Sequence, residues 1–306
     1  MKKNDRLYCP LCRSVKTKKI YSGTDRVVSE YRHGDRPCDL SLFRCRECGA
    51  RFLGKVAYAS EIVHEAYWDM LTRNLPTGFA VQSGSDAISM KLLDKYRKTN
   101  RLLEIGCGDA ALLNQARADG WRVTGIDISR KAVELARERY GLDIINGQLD
   151  EETVAWLGER SFDIILMWGV IEHLAEPLRV LRLSRALLRA GGALVLYTPN
   201  ADSLFHRLAR LTHCLTGGAV SFFMERVTIA MHTLYLTPGS LRRALRDCGF
   251  SAVEVRMASI NLDFIFQAHS QFWWSNPWLL WGAKRLQRIA VRRGLNSHLI
   301  VVAEKA

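Results

Sequence analysis

Proline is scarce in this chain, 7 in 306 residues, and no segment is repeated or compositionally monotonous, so fibrous and disordered classes fall away. No stretch approaches the roughly 20 apolar residues of a membrane span. The opening residues, MKKNDRLYCPLC, lack the apolar centre of a secretory leader, so a cytoplasmic location is expected. What is present is the composition of a globular protein, 48% hydrophobic and 25% charged with 22 glycines. At this length, one large core and a small accessory module can both be built.

Eight cysteines in a reducing compartment do not suggest a disulfide framework, so closely spaced pairs are read first as metal ligands. Cys9-Pro-Leu-Cys12 and Cys45-Arg-Glu-Cys48-Gly49 form two such knuckles. Together they would present four thiolates to one structural zinc ion with no open coordination position. Residues 1–58 are therefore expected to form a zinc ribbon, held by metal in place of a core of its own. Cys38, Cys107, Cys214 and Cys248 receive no metal role.

The net charge of +13 is uneven. The first 70 residues hold 14 Lys and Arg against 9 Asp and Glu, residues 71–200 hold 17 against 16, and residues 201–306 hold 13 against 6. Basic flanks around a neutral centre suit an anionic partner or serve solubility alone.

From Arg101 the pattern becomes short apolar runs (RLLEIG, WRVTGID, LDIIN, FDIILMW, ALVLYT) separated by segments of helical spacing at 110–119, 130–140 and 177–189. This βαβ rhythm predicts an α/β fold with a seven-stranded, mostly parallel sheet and helices on both faces, completed by SAVEVRM and HLIVVAEK. The expected organisation is a ribbon over 1–58, a helical connector over 59–98 and an α/β domain over 99–306. An amphipathic insertion is expected at about 261–294.

In LLEIGCGDAALL, Gly106 and Gly108 follow a strand and precede a helix, where a nucleotide-type cofactor approaches bare backbone. Asp127, about 20 residues on and at the end of the next strand, is placed as a ribose-binding carboxylate. The spacing alone also fits a dinucleotide. Asp109, expected in the helix's first turn, and Glu104 would repel a diphosphate and suit a cofactor carrying an amino group and a sulfonium.

With Glu104-Ile105-Gly106-Cys107-Gly108, Gly125-Ile126-Asp127, Ser161-Phe162-Asp163, Ile171-Glu172-His173, Gly191-Gly192 and Thr198-Pro199-Asn200, the region 101–250 resembles the class I S-adenosylmethionine-dependent methyltransferases, which have a Rossmann-like fold. With the cysteine knuckles added, the chain is similar to bacterial methyltransferases of sugar, polysaccharide and secondary-metabolite pathways. The resemblance implies that Glu104, Gly106, Cys107 and Gly108 surround the cofactor's methionine portion, Asp127 receives both ribose hydroxyls, and Ile128, Gln148 and Leu149 border the adenine. Ala110 replaces the family loop's third glycine and is expected to need only ordinary helical backbone. Trp168 reads equally as a site residue and as core.

His173 has the intrinsic pKa of a general base and lies after the fourth strand, while His232 in MHTLYLTP could roof an acceptor pocket. Each also reads as a bracing histidine. In the similar ubiquinone-type O-methyltransferases a Glu-His pair helps hold a catalytic metal. Here Gly169 stands at the earlier glutamate position, and no catalytic metal is expected.

After Asn276-Pro277, Leu279, Ala283, Leu286 and Ala290 form one stripe and Lys284, Arg288 and Arg292 another. With Phe272, Trp273, Trp274 and Trp281, this helix reads either as docked on the core or as a peripheral contact with anionic lipid at the inner membrane face. The leading expectation is methyl transfer to a small-molecule, sugar or lipid-linked acceptor. Nucleic acid is the less favoured partner, since an Asn/Asp-Pro-Pro-aromatic motif is absent after the fourth strand. A non-catalytic regulatory role is the third reading.

Overall fold

The computed structural model describes residues 7–25, 38–54, 91–228, 232–262 and 277–306. Most of the expected connector, and the start of the 261–294 insertion with Phe272, Trp273 and Trp274, lie outside the described residues.

Three N-terminal strands, β1 (Thr17–Asp25), β2 (Cys38–Cys45) and β3 (Arg51–Leu53), pair antiparallel. A short helix α1 (Lys91–Asp94) leads into the larger unit. There β4 (Arg101–Ile105), α2 (Ala111–Ala118), β5 (Arg122–Asp127), α3 (Arg130–Tyr140), β6 (Ile145–Asn146), α4 (Glu151–Leu157) and β7 (Phe162–Trp168) alternate as the sequence rhythm requires. A 3-10 turn (Ile171–His173), α5 (Pro177–Leu187) and β8 (Leu188–Pro199) follow. The segment left unassigned by periodicity is a helical pair, α6 (Leu204–Leu215) and α7 (Phe222–Val227). After it come β9 (Leu234–Tyr235), α8 (Pro238–Asp247), β10 (Ala252–Ala258), α9 (Pro277–Arg292) and β11 (His298–Glu304).

The large sheet has the order β10-β11-β8-β7-β4-β5-β6. Its four inner pairings from β8 to β6 are parallel, and β11 runs antiparallel to both neighbours. Both faces are covered, which is why its central strands are apolar throughout. Leu103, Ile165, Met167 and Leu196 point into one core, and Leu102, Ile164, Leu166 and Val195 into the other.

Local chemistry sets the element ends. The Thr237 side chain accepts from Ser240 N while Ser240 Oγ accepts from Thr237 N, a reciprocal cap that starts α8 with Pro238 in its first turn. Asp163, in the Ser-Phe-Asp match, is fully buried. One of its oxygens receives the amides of Lys98, Thr99 and Asn100, and the other pairs with Arg189. Burial raises its pKa, but the guanidinium and amides outweigh that and hold it below the usual carboxylate range. The carboxylate thus pins the chain entering β4 to the start of β7.

The ribbon is more integrated than the expectation of a self-contained module held by metal alone. β9, from residue 234 onward, forms the fourth strand of its sheet by pairing with β3. Cys9, Leu11, Cys45, Ala50 and Phe52 belong to the same buried cluster as Ile165 and Leu196. Fewer than 60 residues gain a core by sharing one.

Candidate active site

The loop after β4 and the end of β5 meet where parallel strands deliver their carboxyl ends. Gly106 sits at φ +68, and a Cβ there would lie 2.5 Å from Val170 Cγ2, so both backbone angle and space demand glycine. The amides of Gly106 and Cys107 donate to Ile126 O at 2.7 and 3.2 Å, and Gly108 N donates to Asp127 Oδ2 at 2.7 Å. These N–H groups are already committed within the protein. The loop therefore offers a ligand its carbonyls and a close approach.

Two expectations about this loop are corrected. Ala110 is not ordinary helical backbone: it has φ 61 and ψ 23, a left-handed N-cap with no side-chain cap. It holds a left-handed conformation that favours glycine, at the cost of Cβ strain on the order of 1 kcal/mol. Asp109 precedes α2 instead of lying in its first turn, and its Oδ2 pairs with Arg139 Nη1 at 2.8 Å. Part of the charge expected to repel a diphosphate is thus neutralised, so that argument rests on Glu104.

Asp127 is aimed by two amides, Gly108 N on one oxygen and Ser129 N on the other at 2.9 Å. Glu104 is 2% exposed, and its Oε2 has no hydrogen-bond partner. Burial first, then Asp127 and Asp109, raise its pKa well above the usual value. An orphaned buried carboxyl oxygen beside a second carboxylate fits the amino group of S-adenosylmethionine, and it disfavours a phosphate. Cys107 is buried in the second core.

Where the resemblance puts the adenine, Ile128 is half-buried, and Asn146 Nδ2 donates to both Ile128 O and Asp127 O, joining β6 to the end of β5. Leu149 is buried and Gln148 exposed. Trp168 lies at the end of β7 in a three-ring stack: it is 4.2 Å from Tyr197 between centroids, and Tyr197 is 4.8 Å from His298, all nearly coplanar in orientation.

The histidines converge. His173 and His232 make an edge-on contact with centroids 4.8 Å apart. Ligating atoms of Glu172, His173 and His232 lie within 4.8 Å of one another. Glu172 is buried, Thr198 Oγ1 donates to its Oε2 at 2.9 Å, and burial pushes its pKa up to about 7. Burial, then His173, depresses the His232 pKa well below its usual value. Gly169 has φ +67, so the glutamate of the ubiquinone-type pattern would be strained there. His232 nevertheless supplies a third donor that the sequence reading did not connect with the Glu-His pair.

Two residues given no role earlier complete this cluster. Thr198 holds the carboxyl, and Thr233 Oγ1 donates to Glu172 O at 3.0 Å, fastening the 3-10 turn to the segment before β9. Thr198 was visible as a family match without a partner. Thr233 is a long-range contact with no local signal.

The four knuckle cysteines also converge, with Cys9 Sγ 3.7 Å from Cys48 Sγ and Cys12 Sγ 3.5 Å from Cys45 Sγ. Tetrahedral zinc–sulfur bonds of about 2.3 Å give sulfur–sulfur edges of about 3.8 Å, so these four thiols suit a closed zinc site.

The methyltransferase-domain family model matches residues 81–255, more than half the chain. Ubiquinone biosynthesis O-methyltransferase of Ruegeria pomeroyi is 31% identical over 176 residues, covering 56% of this chain and 66% of that protein. Its namesake in Cereibacter sphaeroides is 31% identical over 159 residues, covering 50% and 61%. The matched segments thus span less than two thirds of these relatives' own length. Among solved structures, a SAM-dependent methyltransferase of Archaeoglobus fulgidus aligns with a TM-score of 0.51 at 15% identity, covering 78% of this chain and 99% of that one. Phosphoethanolamine N-methyltransferase 2 of Haemonchus contortus aligns with a TM-score of 0.51 at 18% identity, covering 94% and 68%.

Proposed function

This chain belongs to the methyltransferase-domain family, and from that premise we propose that it transfers a methyl group from S-adenosylmethionine to a small-molecule or lipid-linked acceptor. The observation that carries the reading is the unpartnered, buried Glu104 oxygen next to the amide-aimed Asp127. When bound, S-adenosylmethionine supplies a methyl group on a cationic sulfur, already activated for in-line displacement.

The chain's own residues then bind, orient and move a proton. Glu104 takes the cofactor's amino group, Asp127 the ribose hydroxyls, and Ile128, Gln148 and Leu149 the adenine edge. The Trp168–Tyr197–His298 stack walls the carboxyl end of β7 and β8 against water. His173 and His232 face an acceptor whose proton leaves as the methyl arrives. Burial keeps His232 neutral, and Glu172 titrates near neutrality behind the pair. The relatives named O-methyltransferases support oxygen as the accepting atom. In the ribbon, Cys9, Cys12, Cys45 and Cys48 hold zinc structurally.

Calorimetry with S-adenosylhomocysteine and NAD, together with turnover of labelled methyl donor by wild type and His232→Ala, tests this. Binding of S-adenosylhomocysteine but not NAD is expected. A loss of turnover of about 100-fold in a folded variant with unchanged product affinity is expected as well. Tight NAD binding without any heat from adenosylhomocysteine would overturn the reading.

A further inference from the structure

Helix α6 turns polar side chains inward and leucines outward. His213 meets the ring of Tyr21 in β1 at 5.3 Å, His206 meets Tyr235 in β9 at 6.2 Å, and Ala209 shares a buried cluster with Tyr21, Leu42 and Leu53 of the ribbon sheet. Arg210, on the same side, donates from Nη1 to Ala201 O at 3.1 Å. Leu208, Leu211 and Leu215 recur at intervals of three and four residues on the opposite side and are exposed, Leu211 by 53% and Leu215 by 78%. Water selects the reverse arrangement, with the apolar stripe of a surface helix against the core.

The apolar surface continues past the end of the helix. Gly217 and Gly218, at φ +59 and +93, turn the chain toward α7, and Val220, Phe222 and Phe223 are exposed after them. From Leu211 to Met224 no residue is Asp, Glu, Lys or Arg. Met224 is buried in the same cluster as Ala209, which anchors α7 to the ribbon sheet and leaves the tip of the pair outside it. Charge near the base of the pair has one sign. Arg207 and Arg210 lie on α6, and at its start Leu204 N donates to Leu295 O at 3.0 Å. The run 284–293, which leads into Leu295, adds five Lys and Arg and no carboxylate. A second copy docked face to face would set these cations against themselves, whereas an anionic bilayer offers acyl chains to the leucines and phenylalanines and phosphates to the arginines.

We propose that the hairpin of α6 and α7 is a bilayer-docking element: Leu211, Leu215, Phe222 and Phe223 enter the acyl boundary of an anionic phospholipid surface, and the arginines stay among its headgroups. The docking does not depend on the methyl-transfer reading. α7 runs through Thr228 toward His232, four residues on, so the docked face lies on the segment that brings His232 to His173.

Both Leu215 and Phe223 are exposed, so the variant combines Leu215→Ser with Phe223→Ser and leaves α9 intact. In sedimentation of the full chain with vesicles, wild type is expected to bind phosphatidylglycerol and not pure phosphatidylcholine. The variant should bind phosphatidylglycerol at least about tenfold more weakly, with its melting temperature unchanged. Cys214 lies between Leu211 and Leu215 and is exposed, so an environment-sensitive fluorophore attached there, in zinc-loaded protein carrying Cys38→Ser, reads insertion with the native apolar side chains in place. Its emission should shift to the blue and rise several-fold when phosphatidylglycerol vesicles are added. No binding of phosphatidylglycerol by wild type, equal affinity of wild type and variant, or an unchanged emission on bound vesicles overturns the docking element. Equal binding of both lipids overturns its anionic character. A wild-type dimer that the variant converts to a monomer, with neither protein binding vesicles, assigns the face to a second copy and overturns the proposal as well.

Discussion

Burial pushes the Glu172 carboxyl up to about 7 even though the Thr198 hydroxyl donates to it. The unfolded chain gives up this proton near the ordinary value of 4.5, whereas the folded chain keeps it to about 7. The carboxyl therefore costs no stability below 4.5, an increasing amount between 4.5 and 7, and its full amount above 7, on the order of 3 kcal/mol. Glu172→Gln retains an acceptor for Thr198 and cannot ionise. Its melting temperature should match wild type at pH 4.5 and exceed it at pH 8, while turnover falls at least tenfold. A stability difference that stays constant across this range would remove the titration argument. Gly106→Ala combines a positive φ with a 2.5 Å approach to Val170, so a loss of about 2–3 kcal/mol is expected in denaturant titration. Adding Val170→Ala should restore part of it, because the second change relieves the clash and leaves the backbone angle. An unrelieved double variant would assign the whole cost to φ.

At the scale of elements, the order β4 to β8 was legible because buried parallel strands write themselves as apolar runs and amphipathic helices separate them. The β5 carboxylate, the glycine loop and both cysteine knuckles were legible for a related reason: their chemistry is local in sequence. Ala110 misled because a left-handed alanine looks like a helix former on the page, and only its backbone angle shows the strain. β9 and the Thr233 contact were invisible, since each joins residues far apart in the chain through tertiary packing. The shared sheet also sets what zinc loss should do. β3 holds β9, and β9 follows directly on His232 and Thr233. Elemental analysis should find one zinc per chain. Cys45→Ser or exhaustive chelation should lower the melting temperature by several degrees and turnover by more than tenfold, with adenosylhomocysteine affinity changing least. Full turnover in metal-free protein would detach the ribbon from the active site.

For the molecule as a whole, no described helix is long and apolar enough to cross a membrane, yet among the described residues exposed apolar side chains gather on α9 and on the helical pair. On α9, Trp278 is 78% and Trp281 53% exposed, and Leu286, Ile289 and Val291 are also uncovered beside Arg285, Arg288 and Arg292. Of the stripe expected to dock this helix, Ala290 is buried, while Gln287 Nε2 donates to Ile260 O. On the helical pair, Leu208, Leu211, Leu215, Phe222 and Phe223 are exposed, and the start of α6 is tied to the end of α9 through Leu204 N and Leu295 O. Aromatics interleaved with arginines on a chain of net charge +13 are suited to the headgroup region of anionic lipid. Flotation with phosphatidylglycerol vesicles should show binding at low ionic strength that weakens steeply with salt, because each surface arginine contributes about 1 kcal/mol only within a Debye length. Replacing Trp278 and Trp281 by Ser should remove the salt-resistant part, and Arg288→Glu with Arg292→Glu the salt-sensitive part. Absence of flotation at low salt would leave α9 as a docked insertion and point the acceptor toward solution.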